Sequence, residues 1–285
     1  MIVLAGILYL CATPIGNLED VTLRVLRILK EVDLIAAEDT RHSIKLLNHY
    51  EIKTPMTSYH EFNKNSKGVW LIEKLKEGQN IALITDAGTP AISDPGEELV
   101  KLAYEEGIKV HSLPGACACI TALTLSGLET KRFAFEAFLP TDKRQRSRIL
   151  EELQKETRTI VLYEAPHRLL KTLKSLFDYL GDRNITIEKE LTKKHESVNV
   201  TNLSQAISQY EKEDPRGEFV LVIEGRSFKD IELEEQKEWL SLSLVDHMKY
   251  YKEKGIQRKE AMKMVAKDRG VSKREIYNKL LEYKD

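Results

Sequence analysis

The stretch IALITDAGTPAISDPG, residues 81–96, is the part of the chain best suited to hold a ligand. Four apolar residues lead into Thr85 and Asp86, then into a run of Gly, Pro and small side chains. A helical pattern of Leu99, Val100, Leu102 and Ala103 starts directly afterwards. That order predicts a buried parallel strand, a long shaped loop and a helix. Ordinary strand-to-helix connections take about 2–6 residues, and this one is longer. In open α/β sheets, ligands sit outside the carboxyl ends of the strands. A loop that places two Gly and two Pro there is expected to shape a pocket rather than only to turn.

Other segment ends carry residues of the same kind. Thr13-Pro14-Ile15-Gly16-Asn17 follows the first apolar segment, and Glu38-Asp39-Thr40-Arg41 follows the second. Pro114-Gly115 follows a later one, and Glu164-Ala165-Pro166-His167-Arg168 and the polar run ELTKKHES follow two more. Familiar templates are missing. There is no G-x-G-x-x-G after the first strand, no G-x-x-x-x-G-K-S/T loop and no H-E-x-x-H helix. No G-x-S-x-G elbow occurs either. His60-Glu61 and His195-Glu196 are adjacent pairs, which do not converge on a metal, so no metal site is expected.

The elements that must position these loops follow from the apolar periodicity. Short apolar runs at 7–12, 34–37, 56–59, 81–84 and 110–113 alternate with helical patterns, the signature of a mostly parallel sheet. Parallel strands bring their carboxyl ends to one edge, so the loops above should line up there. A small-residue helix from Ala116 opens a second α/β series, with an extended run at 133–139 and strands at 159–163, 185–189 and 218–224. The expected organisation is an α/β domain over 1–117, a second over 118–226, a charged linker over 227–240 and a helical tail over 241–285. In the tail, Gly270, the N-cap Ser272 and Glu275 suggest a capping box in a helix-turn-helix-like pair. From Lys249 onward twelve Lys/Arg face six Asp/Glu, which suits either phosphate contact or a solvated helical bundle.

Composition narrows the field. The chain has 285 residues, 42% hydrophobic content and a net charge of −1, so any basic surface is local. Cys11, Cys117 and Cys119 suit a reducing compartment, as small buried thiols. The apolar N-terminus lacks a basic leader region and reads as a first buried strand. No run reaches the roughly 18 apolar residues of a membrane span, so a soluble cytoplasmic protein without membrane contact is expected. On this reading alone the chain is a two-domain α/β protein with ligand loops on both domains and a cleft between them, a small-molecule enzyme or a transferase.

The motifs taken together are more specific. TPIGNLEDVTLRVLRILKEVDLIAAEDTRHS, LITDAGTPAISDPG, SLPGACACITALTLSGL, FLP, YEAPHR, KELTKKHE and RGEFVLVIEG closely resemble, in order, the rRNA-methylating branch of the tetrapyrrole (corrin/porphyrin) methylase superfamily. The resemblance covers nearly the whole chain. It implies two α/β domains with S-adenosyl-L-methionine folded into the cleft between them, a homodimer, and a helix-turn-helix-like tail. It implies methylation of the ribose 2′-oxygen of a decoding-region cytidine in the 16S rRNA of the small ribosomal subunit. The missing dinucleotide fingerprint agrees, since this superfamily binds its cofactor without one.

Carried over by position, the resemblance places Pro14 and Gly16 at the methyl-donor end. Asp86, Gly88, Thr89, Pro90 and Ile92 match the loop that holds the methionine part. Cys117-Ala118 stands where the superfamily often has Thr-Ala, which keeps the small size without the hydroxyl. Tyr163 and Glu164 match the strand end that approaches the nucleoside, and Leu191, Gly217, Glu218 and Phe219 the remaining adenine wall. A ribose hydroxyl is a poor nucleophile, so in-line placement and a base or cation beside it would help. The EDTR and KELTKKHE clusters are expected to flank the cytidine, with Asp39, Arg41, Glu190 and Lys193 as catalytic candidates. Contact with RNA is expected from Lys143, Arg144, Arg146 and Arg148 and, in the tail, from Lys273 and Arg274. Two rival readings remain at this stage. One is a methylase of a tetrapyrrole precursor with the same fold; the other is a non-enzymatic nucleic-acid-binding protein built around the tail.

Overall fold

A computed structural model of the chain describes residues 4–282. It divides into two compact units: one runs to Gln154 and resumes at Arg158–Glu224; the other joins Lys155–Thr157 to the chain from Gly225 onward.

The first unit contains two sheets. In the first, β1 (Ile7–Cys11), β2 (Leu34–Ala37), β3 (Met56–Ser58), β4 (Ile81–Ile84) and β5 (Lys109–Leu113) lie in the order β3-β2-β4-β1-β5. Every pairing is parallel, as the alternating pattern predicts. All four residues of β4 are buried. Successive side chains point to opposite faces. Ile81 and Leu83 therefore pack with Leu71, Leu75 and Leu99, while Ala82 and Ile84 pack with Val25, Leu29 and Leu47. The helix after β1, Leu23–Glu31, thus covers one face and the helix after β4, Gly96–Glu105, the other. Their chains leave in opposite directions from two adjacent strands, which makes the crevice between β1 and β4 the topological switch point of the sheet.

The second sheet does not repeat this pattern. β6 (Phe133–Phe138), β7 (Thr159–Glu164), β8 (Asn184–Lys189), β9 (Ser197–Asn202) and β10 (Phe219–Ile223) lie in the order β6-β7-β10-β8-β9. Only β6 and β7 are parallel; the other three pairings are antiparallel. β9 was not expected from the sequence. Residues 190–196 are too few for a crossover helix, so the chain can only return as a hairpin. Its strand, SVNVTN, is polar enough to pass for loop. Helices Lys143–Gln154, Leu169–Leu180 and Leu203–Tyr210 cover one face of this sheet, and Ala118–Leu125 covers the other.

The second unit is helical. Helices Leu244–Glu253, Arg258–Asp268 and Lys273–Glu282 bury Leu244, Tyr251, Ala261, Val265 and Ile276. The capping box forms: the Glu275 amide donates to Ser272 Oγ at 3.2 Å, and Glu275 Oε2 accepts the Ser272 amide at 2.7 Å. Residues 227–240, expected as a linker, are helical over Phe228–Ser241. Ser227 caps that helix, and its Glu, Lys, Leu and Gln content favours one. The indole of Trp239 stacks on buried His247 with ring centroids 4.1 Å apart.

Candidate active site

The carboxyl ends of β1 and β4 are tied together directly. The Thr13 amide donates to the Gly88 carbonyl at 2.9 Å, and the Gly88 amide donates to the Thr13 carbonyl at 3.0 Å. The Thr13 hydroxyl donates to the Thr85 carbonyl at 3.1 Å. Thr89 Oγ1 donates to the Ala116 carbonyl at 2.9 Å, which adds the loop after β5. On the other flank, Thr85 donates its hydroxyl to Glu38 Oε2 at 2.6 Å, and Asp86 Oδ1 accepts the Asp39 amide at 3.1 Å. Burial pushes the Asp86 carboxyl up, against the opposing effect of the Asp39 amide.

Asp94 shapes the rest of the long loop. Its carboxylate accepts the amides of Ala91, Ile92 and Gly96 at 3.0, 3.3 and 2.8 Å. The bonds hold Ala91 and Ser93 at φ of 67° and 68°, a left-handed backbone that non-glycine residues seldom adopt. Such strain persists where the surroundings over-determine it.

The second sheet brings its own strand ends to this crevice. A Cβ on Gly16 would stand 2.9 Å from the Leu191 carbonyl and 2.5 Å from Lys193 Cγ, so the two sets of loops touch. They enclose a cavity of about 360 Å³, in the usual range for a small-molecule site. The first sheet and its following loops contribute Ile15, Ala87, Gly88, Thr89, Ile92, Cys117 and Ala118; the second contributes Phe138, Tyr163, Glu164, Ala165, Pro166, Leu191, Glu218, Phe219 and Val220. Tyr163 is fixed by its hydroxyl, which accepts the Cys119 amide at 3.1 Å, and by edge contacts with Phe135 and Phe138. Glu164 is fully buried; it accepts from the Ala165 amide at 2.8 Å and from Thr172 Oγ1 at 2.5 Å, and pairs with Arg168 at 3.4 Å.

Ten of the fifteen residues expected around a cofactor line this cavity: Gly88, Thr89, Ile92, Cys117, Ala118, Tyr163, Glu164, Leu191, Glu218 and Phe219. Pro14, Gly16, Asp86, Pro90 and Gly217 do not. Pro14 and Asp86 instead line a smaller cavity beside it. Pro90 is buried behind the loop, and Gly217 supports Glu190. Ile15, Ala87, Phe138, Ala165, Pro166 and Val220 line the large cavity without having been singled out, although Ile15, Ala87, Ala165 and Val220 each adjoin a residue that was.

The four catalytic candidates line neither cavity. Asp39 caps helix Thr40–His49, and its carboxylate is forked by Arg41 at 2.8 and 3.1 Å. Those bonds hold Asp39 down to about 2. Glu190 and Lys193 stand at the rim. Lys193 Nζ bridges Glu190 at 3.0 Å and the cavity-lining Glu218 at 2.8 Å. Burial opposes the charge of Glu190, but the Glu218 amide and the Lys193 ammonium outweigh it and hold the carboxyl low. Lys143, Arg144 and Arg148 are exposed near the start of helix Lys143–Gln154, whereas Arg146 is half-buried beside Ser175. In the helical unit, Lys273 and Arg274 open the last helix. Among the described residues, no group of three or more His, Cys, Asp and Glu could hold a metal ion, and no helix is long and apolar enough to cross a membrane.

Comparison with known proteins places this geometry. The model of the Tetrapyrrole (Corrin/Porphyrin) Methylases matches residues 7–207. The chain is 52% identical over 273 residues to the ribosomal RNA small subunit methyltransferase I of Halalkalibacterium halodurans, covering 96% of this chain and 94% of that protein. It is 50% identical over 273 residues to the protein of the same name from Bacillus subtilis, covering 96% and 93%. The fold is shared with a uroporphyrin-III C-methyltransferase of Thermus thermophilus solved with S-adenosylhomocysteine, at a TM-score of 0.54, 19% identity, and coverage of 76% of this chain and 97% of that one. The chain belongs to the tetrapyrrole methylase family and, within it, to the ribosomal RNA small subunit methyltransferase I group.

Proposed function

We infer that this chain is an S-adenosylmethionine-dependent methyltransferase acting on the rRNA of the small ribosomal subunit, and that its acceptor is the ribose 2′-oxygen of a decoding-region cytidine in 16S rRNA. The observation that carries this reading is near full-length identity to rRNA methyltransferases, tail included. Likeness to the porphyrinoid enzyme is a likeness of fold alone.

The cavity fits the cofactor. It is largely apolar, with Leu191, Phe219 and Val220 offering a wall for a flat adenine and Thr89 and Glu218 placing polar groups at its margin. The Ala118 amide, at the start of helix Ala118–Leu125, offers a donor to a carboxylate. Gly88 keeps the floor clear, since a Cβ there would press within 3.3 Å of Ile15 Cγ2. We assign the methionine part to the loop containing Gly88, Thr89 and Ile92, and the adenosine to Tyr163, Leu191, Glu218 and Phe219. When bound, S-adenosylmethionine supplies an electrophilic methyl group on a sulfonium, and its transfer to a hydroxyl releases one proton.

The chain's own residues position the reactants. The bridge between Thr13 and Gly88 fixes the edge of the donor cavity, and its largely apolar walls disfavour water. Asp39 and Glu190 are held ionised by cations, so they are weak bases at neutral pH. Their proposed role is to aim Arg41 and Lys193 at the RNA strand, where a fixed cation meets a phosphate. Lys143, Arg144 and Arg148 and the basic tail extend the contact, which makes binding salt-dependent. The protein is proposed to act in the cytoplasm, as a homodimer, without membrane contact.

The test is methyl transfer from labelled S-adenosylmethionine to small subunits from cells lacking this gene, followed by mapping of 2′-O-methyl groups. One new ribose methyl on a 16S cytidine is expected. Transfer to a porphyrinoid precursor instead would replace this reading. Deleting residues 227–285 should weaken rRNA affinity at physiological salt while cofactor affinity is kept; unchanged rRNA affinity would remove the tail from this account.

A further inference from the structure

A second cavity, of about 220 Å³, opens beside the first. Its walls include Thr13, Pro14, Thr85 and Asp86, while the next residues along the same two loops, Ile15 and Ala87, line the larger cavity. Two paired loops therefore form one shared wall, with Thr13 and Gly88 bonded across it.

The far side of the small cavity is helix Thr40–His49, which presents His42, Ser43 and Lys45. Ser43 is 3% exposed, and its hydroxyl has no hydrogen-bond partner. A buried hydroxyl without a partner costs stability unless something supplies the bond. Asp86 lines the same cavity and accepts the Asp39 amide on Oδ1. His42 and Lys45 are exposed at the mouth. An apolar ring face at Pro14, a hydroxyl and a carboxylate inside, and a cation at the entrance suit a nucleobase whose phosphate stays outside.

We propose that this second cavity receives the flipped-out pyrimidine base of the acceptor nucleotide, with Ser43 and Asp86 reading its hydrogen-bonding edge and Lys45 meeting the adjoining phosphate. The proposal rests on the methyltransferase reading above and assigns the acceptor side of that site. Enzymes that do chemistry on a base draw it into a fitted pocket and read its edge there; the same capture of the base would fix the ribose beside it. A single ring fits this volume, whereas a porphyrinoid does not. Placing the base here sets its ribose against the shared wall, next to the cavity assigned to the donor.

The experiment uses the full-length protein, small subunits lacking the modification, and calorimetry with S-adenosylmethionine. Ser43→Ala removes the hydroxyl and adds no bulk; Ser43→Phe fills the cavity; Lys45→Glu reverses the charge at the mouth. All three should bind S-adenosylmethionine within about threefold of wild type. Ser43→Ala should raise KM for small subunits about tenfold, or one lost hydrogen bond. Ser43→Phe should abolish transfer, and Lys45→Glu should raise KM most at low salt. If wild type methylates small subunits and Ser43→Ala and Ser43→Phe do so within twofold of it, the pocket assignment is overturned while the functional reading stands. A Ser43→Ala variant that loses cofactor affinity as strongly as rRNA turnover would also overturn it, since the residue would then act on the fold. If wild type transfers no methyl group to small subunits, the functional reading fails first.

Discussion

Thr13 and Gly88 exchange both backbone hydrogen bonds, at 2.9 and 3.0 Å, although they lie in different strand-end loops of the first sheet. This bridge is the point at which the loops after β1 and β4 become one surface. Gly88 has a φ of +86°, where a side chain is strained. A Cβ there would also reach Ile15 Cγ2 at 3.3 Å and the Ala116 carbonyl at 3.5 Å. Gly88→Ala should therefore distort the cavity floor and weaken S-adenosylmethionine binding about tenfold, with a stability loss of about 1–2 kcal/mol. Calorimetry of the variant gives the answer; affinity within twofold of wild type would refute the role assigned to the bridge.

Gly217 supports the opposite wall. Its φ is +88°, and an added Cβ would lie 2.6 Å from Glu190 Cγ and 2.7 Å from its carboxylate. That carboxylate accepts the Glu218 amide at 2.9 Å and the Lys193 ammonium at 3.0 Å. Gly217→Ala must push Glu190 away and break both bonds. A loss of about 2–3 kcal/mol is expected from backbone strain and the stranded groups together. Urea denaturation measures it, and Glu190→Ala in the same background should recover part of the loss by clearing the clash.

Most of this was legible in the sequence because parallel strands collect their following loops at one edge. The motifs after β1, β2, β4 and β5 announced themselves by Gly, Pro and charge, and their strands by apolar runs. The second sheet was harder. Its antiparallel order puts Val220 between Tyr163 and Glu188, a neighbourhood set by strand pairing that no local pattern carries. Phe138 enters the cavity for the same reason, through its pairing with Tyr163. Asp39 and Arg41 are catalytic candidates by type; the structure pairs them with each other and uses Asp39 as a helix cap. The fork depends on two side-chain rotamers that spacing alone does not fix.

Cys117 should be the reactive thiol. Its Sγ lies 3.4 Å from that of Cys119, and it stands at the N-terminal end of helix Ala118–Leu125. The Cys119 thiol hydrogen bond outweighs burial and brings Cys117 below the usual thiol range, while Cys119 is pushed up. Cys11 is buried and raised to about 12, chiefly by desolvation. At pH 7, N-ethylmaleimide should label Cys117 first and leave Cys11 untouched. Saturating S-adenosylmethionine should slow the labelling, because Cys117 lines the proposed donor cavity. Labelling that is indifferent to the cofactor, read by peptide mass spectrometry, would argue against that placement.

Glu188 is a costly residue in the second sheet. It sits mid-sheet between Val220 and Val198, is 0% exposed, and neither carboxylate oxygen has a hydrogen-bond partner. Burial pushes its carboxyl up to about 8. Folding therefore favours the protonated form. Below pH 4.5 the group is protonated both folded and unfolded and carries no charge penalty. Between pH 4.5 and 8 the unfolded chain releases the proton and the folded chain keeps it, so stability falls as pH rises. The accumulated loss at pH 8 is on the order of 2–4 kcal/mol. Glu188→Leu places an apolar side chain among valines and removes that dependence. The variant should gain over wild type more at pH 8 than at pH 5 in urea denaturation. An equal difference at both pH values would mean that Glu188 is ionised in the folded protein, with a partner that stabilises its charge.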